Sequence, residues 1–249
     1  MKALILAAGR GNRLIKTMHD LPKPLIDING TSLIQRQINL LRKKGITEIF
    51  VIRGFKPEEF HLEYVSYIED KQYDKHDQLG SLMAADSQLS EDVLITFGDI
   101  LFDENILEQI LSSSSNFAVA VDLNWTKSYE KRSDNPMELA GKVMIKDGKI
   151  EKFSENLPVE KEGCLIGEFL GIIKLRNIST VILQKHLQQL RKIHKGKFHD
   201  AKSFELAKLT DFLQDLVESK VEIDPIFVDG KWCEIDTPKD LELARKQFL

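Results

Sequence analysis

The chain has 249 residues, of which 42% are hydrophobic and 30% charged, and its formal net charge is -4. This length can bury a substantial core, and the balance excludes a disordered polymer and leaves no basic field for nucleic acid or an anionic membrane. Two cysteines, Cys164 and Cys233, lie far apart with no zinc or CxxC spacing, so neither a disulfide framework nor a thiolate metal site is expected.

Ala3-Leu4-Ile5-Leu6-Ala7 is a continuous apolar run followed by Gly9 and Gly11, the pattern of a buried parallel strand. It has no cleavage-site pattern, so it does not read as a signal peptide. No apolar segment approaches the roughly 20 residues of a membrane span. The cytoplasm is the expected compartment. Residues 32–44 carry Leu33, Ile34, Ile38, Leu40 and Leu41 at helical spacing, with Gly45 as the stop signal. Residues 48–52 form the next strand, so the chain opens as a right-handed βαβ unit. A short helix begins at Pro57, residues 64–68 alternate like a strand, residues 71–78 are turn-like, and a helix starts near Gly80. Residues 93–97 form a strongly apolar strand that ends at Gly98-Asp99. Residues 104–111 are helical, 112–115 a serine loop and 117–121 a strand.

The pattern then changes. Residues 139–145 and 149–153 flank Asp147-Gly148, a hairpin signal. A strand at 167–175 follows, then helices at 179–193 and 204–219 and a strand at 221–227. Asp229-Gly230 turns the chain into a strand at 232–235. A last helix starts at Pro238, with Thr237 as its N-cap. The charged segments 125–135 and 194–203 read as loops with freedom to move. The expected fold is α/β: a Rossmann-like three-layer α/β/α sandwich with a mixed, mainly parallel sheet and a small antiparallel β appendage. A single domain is expected over residues 1–249, with an insert around the hairpin at about 124–166.

Several residues can carry chemistry. Gly9 and Gly11 allow backbone amides to approach an anion, and Arg10, Arg13 and Lys16 add positive charge beside them. Alone, this is an ordinary strand-to-helix turn, and it matches neither GxGxxG nor the Walker form. Lys23 adds weight because Pro22 and Pro24 restrict the backbone on both sides, and a lysine held this way suits a phosphate clamp. Asp99 and Asp236 each follow a strand, where open α/β sheets bind ligands and where two carboxylates can share Mg2+. Either could equally serve as a turn or capping residue. The six histidines show no metal spacing.

Leu6-Ala7-Ala8-Gly9-Arg10-Gly11-Asn12-Arg13-Leu14, followed by Leu21-Pro22-Lys23-Pro24-Leu25, resembles the signature of nucleotidyltransferases that activate sugar phosphates and phospho-alcohols. The resemblance implies that Leu6, Ala7, Ala8, Gly9, Arg10 and Gly11 hold base and ribose. It implies that Arg13 and Lys23 hold the phosphates catalytically, and that Asp99 and Asp236 bind the metal. Glu168-Phe169-Leu170-Gly171, Asp229-Gly230-Lys231-Trp232, Glu234 to Leu241 and Gly80-Ser81-Leu82 are most similar to cytidylyltransferases acting on choline phosphate or small phosphonates. By that likeness Gln78, Gly80 and Ser81 meet the nucleotide, while Lys152 and Glu168 lie on the acceptor side; Trp125, in a polar loop, is a further acceptor-side candidate by residue type. An aromatic ring such as Trp125 suits a quaternary ammonium, although a loop anchor is the plainer reading.

The Glu-Lys-Pro segment of sugar nucleotidyltransferases is reduced here to Glu151-Lys152-Phe153. The basic residue that phosphonate relatives carry slightly later is replaced by Glu155. The implied function is Mg2+-dependent transfer of CMP from CTP to a small phosphate or phosphonate, of the 2-aminoethylphosphonate or choline phosphate type. No nucleic-acid or membrane partner is expected, and assembly as a homodimer is left open. A sugar-1-phosphate nucleotidyltransferase using another triphosphate is the enzymatic alternative. A catalytically silent nucleotide sensor is the alternative of another class.

Overall fold

A computed structural model describes residues 1–11, 21–130, 132 and 137–249. β1 (Lys2–Ala7) is buried along its whole length, as its unbroken apolar run requires. After a 3-10 turn at Lys23–Leu25, a two-residue-per-strand hairpin, β2 (Asp27–Ile28) and β3 (Thr31–Ser32), leads into α1 (Leu33–Lys43). The Ser32 side chain caps α1 by accepting from the Gln35 amide. β4 (Ile49–Arg53), β5 (Ser66–Glu69), α2 (Gln78–Ala84), β6 (Val93–Phe97), β7 (Ile100–Phe102), α3 (Glu104–Ser112) and β8 (Phe117–Asp122) follow. The second half contributes a short helix, α4 (Thr126–Tyr129), then β9 (Lys142–Lys146), β10 (Lys149–Ser154) and the long β11 (Leu165–Leu175). It closes with α5 (Asn177–Ile193), α6 (Leu209–Glu218), β12 (Asp224–Phe227), β13 (Trp232–Glu234) and α7 (Pro238–Gln247).

Nine of the strands form one sheet. β5, β4, β1 and β6 lie side by side and parallel. β11 runs against them. Its last four residues pair with β6, and its other edge carries β8 and then β12. The first half of β11 pairs with β9, which brings β10 as a hairpin turned at Asp147-Gly148. The change of partner falls at Gly171. Its φ is +70°, and an added Cβ would stand 2.2 Å from the Phe97 ring, so only glycine fits this bend. Two smaller antiparallel pairs, β7–β13 and β2–β3, complete the described strands.

The side-chain alternation of β1 sorts the core into two layers. Leu4 and Leu6 face α2, α5 and α6 through Leu79, Leu82, Leu187 and Leu213. Ala3, Ile5 and Ala7 face α1 and α3 through Ile34, Ile38, Leu41, Ile106 and Ile110. Ile34, Ile38 and Leu41 recur at helical spacing on α1, and each contributes on the order of 1.5–3 kcal/mol by burial. A charge at Ile38 would break this contact. A third cluster joins α7 to the edge of the domain through Ile26, Leu101, Ile235 and Leu241. The fold is the three-layer α/β sandwich expected from the strand and helix pattern.

Three local differences have physical causes. The expected helix at 204–219 is split into a 3-10 turn at Phe204–Leu206 and α6, because the buried Asp211 carboxylate accepts from the amide of Lys208 and fixes the start of α6 there. The same carboxylate accepts from the amides of Asp200 and Ala201. Together with the buried Phe198 ring it ties down much of the segment expected to move at 194–203. The segment starting at Trp125 is also anchored at its front, since Trp125 is 1% exposed and opens α4. No helix among the described residues is long and apolar enough to cross a membrane.

Candidate active site

The ends of β1, β6 and β13 meet around a cleft of about 410 Å³. Strand pairing explains how residues distant in sequence converge there. The chain leaves the nine-stranded sheet after β6 at Gly98-Asp99 and continues as β7, which pairs with β13 in a separate antiparallel pair so that Glu234 lies opposite Ile100. The Ile235 amide donates to the Asp99 carbonyl at 3.2 Å. Beyond it, the amides of Asp236 and Thr237 both donate to Asp240 Oδ2, while Thr237 caps α7. Asp99, Glu234 and Asp236 thereby place carboxylate oxygens within 4.8 Å of one another.

Gln37 of α1 braces the same corner from behind. Its buried amide nitrogen donates to the carbonyls of Phe97 and Ile100, at 2.9 and 2.6 Å, and its oxygen accepts from Thr96 Oγ1. A glutamine inside an amphipathic helix gives no such signal in sequence. The turn that carries Asp99 is nonetheless fixed by it.

Lys23 reaches into the carboxylate group. Its Nζ donates to Asp99 Oδ2 at 2.7 Å and to Asp236 Oδ1 at 2.6 Å, and the residue is 6% exposed. Burial alone would lower its pKa, but Asp99 and Asp236, with Glu234 behind them, raise it, so the ammonium stays charged. Its stem runs along Gly11, where φ is +65° and an added Cβ would stand 2.9 Å from Lys23 Cβ. The glycine turn of β1 and the lysine between two prolines are thus one packed unit, and glycine is required there. Burial, with Asp236 next, pushes the Glu234 carboxyl up to about 8. Glu234 was not singled out from sequence. The signal for it is its place two residues before Asp236 on the same face of an extended segment.

The cleft lining also includes Tyr129, Glu155, Glu168, Phe169, Lys208 and Trp232. Tyr129 donates to Glu168 Oε1 at 2.8 Å, and Trp232 Nε1 donates to Asp122 Oδ2 at 2.8 Å. Arg132 stacks over the Tyr129 ring and donates to Asp240 Oδ1 at 2.7 Å. Glu155 pairs with Lys208, a basic residue that no motif indicated.

Among the described residues, those expected at the site separate clearly. Leu6, Ala7, Gly9, Gly11, Lys23, Gln78, Asp99, Glu168 and Asp236 line the cleft. Ala8 is buried behind it and accepts from the Phe55 amide, and Arg10 stacks on the Phe55 ring. Arg13 lies outside the described residues. Four expectations are corrected. Lys152 is exposed on β10, just past a register shift between Ile150 and Lys152 that turns both Glu151 and Lys152 outward. Trp125 is sealed under the hairpin and donates to the Ile166 carbonyl, so it anchors a loop and covers no acceptor. Ser81 points away and donates to the buried Asp70 at 2.8 Å. Gly80 packs against His76, outside the cleft lining.

Residues 3–147 match the MobA-like NTP transferase domain. The chain belongs to that family. Along 98% of its own length it is 27% identical to 98% of a CTP:phosphoglutamine cytidylyltransferase from Campylobacter jejuni. Over 48% of its length it is 33% identical to 53% of a choline-phosphate cytidylyltransferase from Streptococcus pneumoniae. A bifunctional GlmU protein from Methanococcus vannielii is 29% identical along the whole chain, which spans 55% of that protein. Among solved structures, a CTP:phosphocholine cytidylyltransferase from Streptococcus pneumoniae superposes with a TM-score of 0.72 at 18% identity, covering 100% of this chain and 99% of that one. An inositol-1-phosphate CTP transferase from T. maritima gives 0.68 at 21% identity, covering 98% and 95%. These likenesses show the fold of the family member described above.

Proposed function

We propose that this NTP transferase moves CMP from CTP to a small phosphate or phosphonate acceptor with Mg2+, releasing pyrophosphate. The observation that carries the reading is the junction of the β1 glycine turn with Lys23, Asp99, Glu234 and Asp236 in one cleft. The relatives that act on phosphoglutamine and choline phosphate support CTP as donor.

The donor set is three carboxylates, which suits a hard divalent cation such as Mg2+. Asp99, Glu234 and Asp236 would hold it, and the bound ion would neutralise triphosphate charge and polarise the α-phosphate. The remaining work falls to side chains and backbone. Leu6, Ala7 and Gly9 offer the β1 end to base and ribose. The Gln78 side-chain oxygen accepts from the Leu209 amide at 3.2 Å, which orients its amide nitrogen group as a donor for the cytosine edge. Lys23 keeps its charge where negative charge grows on the transferring phosphate.

In the transfer an acceptor oxygen forms a bond to the α-phosphorus. The bond from that phosphorus to the bridging oxygen breaks in line, and its electron pair leaves with pyrophosphate. The attacking oxygen is already anionic, so no protein base is needed, and positioning supplies the acceleration. A comparison of CTP, UTP, GTP and dTTP against a panel of small phosphates and phosphonates, followed by pyrophosphate release, tests the reading. CTP is expected to be used best; a clear preference for another triphosphate with a sugar 1-phosphate would replace it.

A further inference from the structure

Arg132 is 5% exposed and lies outside the cleft lining, yet it reaches the backbone that carries two of the three clustered carboxylates. Its Nε donates to Asp240 Oδ1 at 2.7 Å and its Nη2 to the Glu234 carbonyl at 3.1 Å. Asp240 passes the restraint on, because its other oxygen accepts from the amides of Asp236 and Thr237 at 3.0 and 2.9 Å. One planar guanidinium thus grips the segment from Glu234 to Asp240 at both of its ends. The arginine is itself anchored to Tyr129. The ring lies 4.9 Å from the guanidinium carbon, and the Tyr129 carbonyl accepts from the Arg132 amide at 3.0 Å.

Stability alone does not account for this arrangement. Arg132 Nη1 is buried with no hydrogen-bond partner among the described residues, and so is Glu168 Oε2. A buried ion pair with a group left over contributes little net stability, since desolvation offsets the attraction. What the two bonds secure is direction. Carboxylates that ligate a metal depend on the groups that orient them, and losing such a group costs about 10- to 100-fold in metal affinity. We propose that Arg132 is a positioning residue for the metal: through Asp240 and the Glu234 carbonyl it fixes the backbone that aims the Glu234 and Asp236 carboxylates at the ion. This rests on the Mg2+-dependent transferase reading above and deepens it by naming a residue that acts at one remove from the ion.

The test measures, by calorimetry, how much Mg2+ tightens the binding of an α,β-methylene analogue of CTP to the full chain. Arg132→Met keeps apolar bulk over Tyr129 without either bond. It is expected to lose most of the Mg2+ gain, on the order of 10-fold, and to keep the affinity measured without Mg2+. Asp240→Asn retains an oxygen for the Asp236 and Thr237 amides but no acceptor for Arg132, and is expected to lose a similar factor. The double variant is expected to lose no more than either alone, because both changes break one link. Arg132→Lys keeps the charge without the fork and is expected to recover only part of the gain. Thermal unfolding reports which variants are folded. A full Mg2+ gain in Arg132→Met overturns the inference, as does a full gain in Arg132→Lys if the Met variant does not fold. Equal losses with and without Mg2+, or losses that add in the double variant, overturn it too. Analogue binding that Mg2+ does not tighten in the unaltered protein removes the Mg2+-dependent reading itself, whereas a gain that survives replacement of Arg132 removes only this inference.

Discussion

Lys23 shows how one side chain can serve both stability and chemistry. It is the direct cation on Asp99 and Asp236, and removing it leaves the buried Asp236 and the partly exposed Asp99 facing each other without a cation. Lys23→Met is expected to lower stability by roughly 3–5 kcal/mol in the absence of divalent ions. Added Mg2+ should raise the melting temperature of the variant more than that of the unaltered protein, because the ion fills the vacated charge. Equal shifts in calorimetry would show that Mg2+ does not bind at these carboxylates. Glu168 offers a second residue-scale test. Burial pushes its carboxyl up to about 7, against the usual carboxylate range, although the Tyr129 bond, Arg132 and Lys142 oppose the shift and Asp122 adds to it. Between the unfolded value and about 7 the folded chain holds a proton that the unfolded chain has released. The charged form therefore costs stability as pH rises through that window, by roughly 3 kcal/mol from the shift. Glu168→Gln should flatten the fall in melting temperature between pH 5 and 8 and make the ligand-free protein more stable at pH 8. An unchanged pH profile would contradict the buried, uncompensated carboxylate.

At the scale of elements, the site depends on the β6–β7 turn and on β13. Gln37 connects that turn to α1 by bonds to Thr96, Phe97 and Ile100. Gln37→Leu, close in shape, is expected to cost about 1–3 kcal/mol by leaving those groups unpaired, and to weaken Mg2+ binding by loosening Asp99. Denaturant unfolding and metal titration check the two effects, and a neutral variant would reduce Gln37 to packing. The elements themselves were readable where the period was strong. β1, α1, β6 and the Asp147-Gly148 hairpin follow directly from apolar spacing and turn chemistry. The break before α6 was not readable, because it depends on where the Asp211 carboxylate meets amides brought in from residues 200 and 201. The packing of Phe198 depends equally on contacts that sequence spacing does not encode.

For the whole molecule, the mainly parallel sheet sets the site where β1, β6 and the returning β13 end together. The parallel pairing of β1 with β4 was implied by the βαβ opening, and the family signature marked Lys23, Asp99 and Asp236. Glu234, Gln37, Lys208 and Tyr129, the partner of the expected Glu168, were not marked, because each acquires its role from an element that pairing or packing delivers from another part of the chain. Lys152 and Trp125 illustrate the reverse case, where the right residue type stands on the wrong face. The cleft that joins Lys23, Asp99, Glu234 and Asp236 is the proposed place of reaction of this NTP transferase. The most direct measurement is pyrophosphate release from CTP with the best acceptor of the phosphate and phosphonate panel, with Mg2+, with EDTA, and in Asp236→Asn. Release that requires Mg2+ and falls by at least about 100-fold in Asp236→Asn is the predicted result. Release that persists in EDTA, or a variant as active as the unaltered protein, would contradict it.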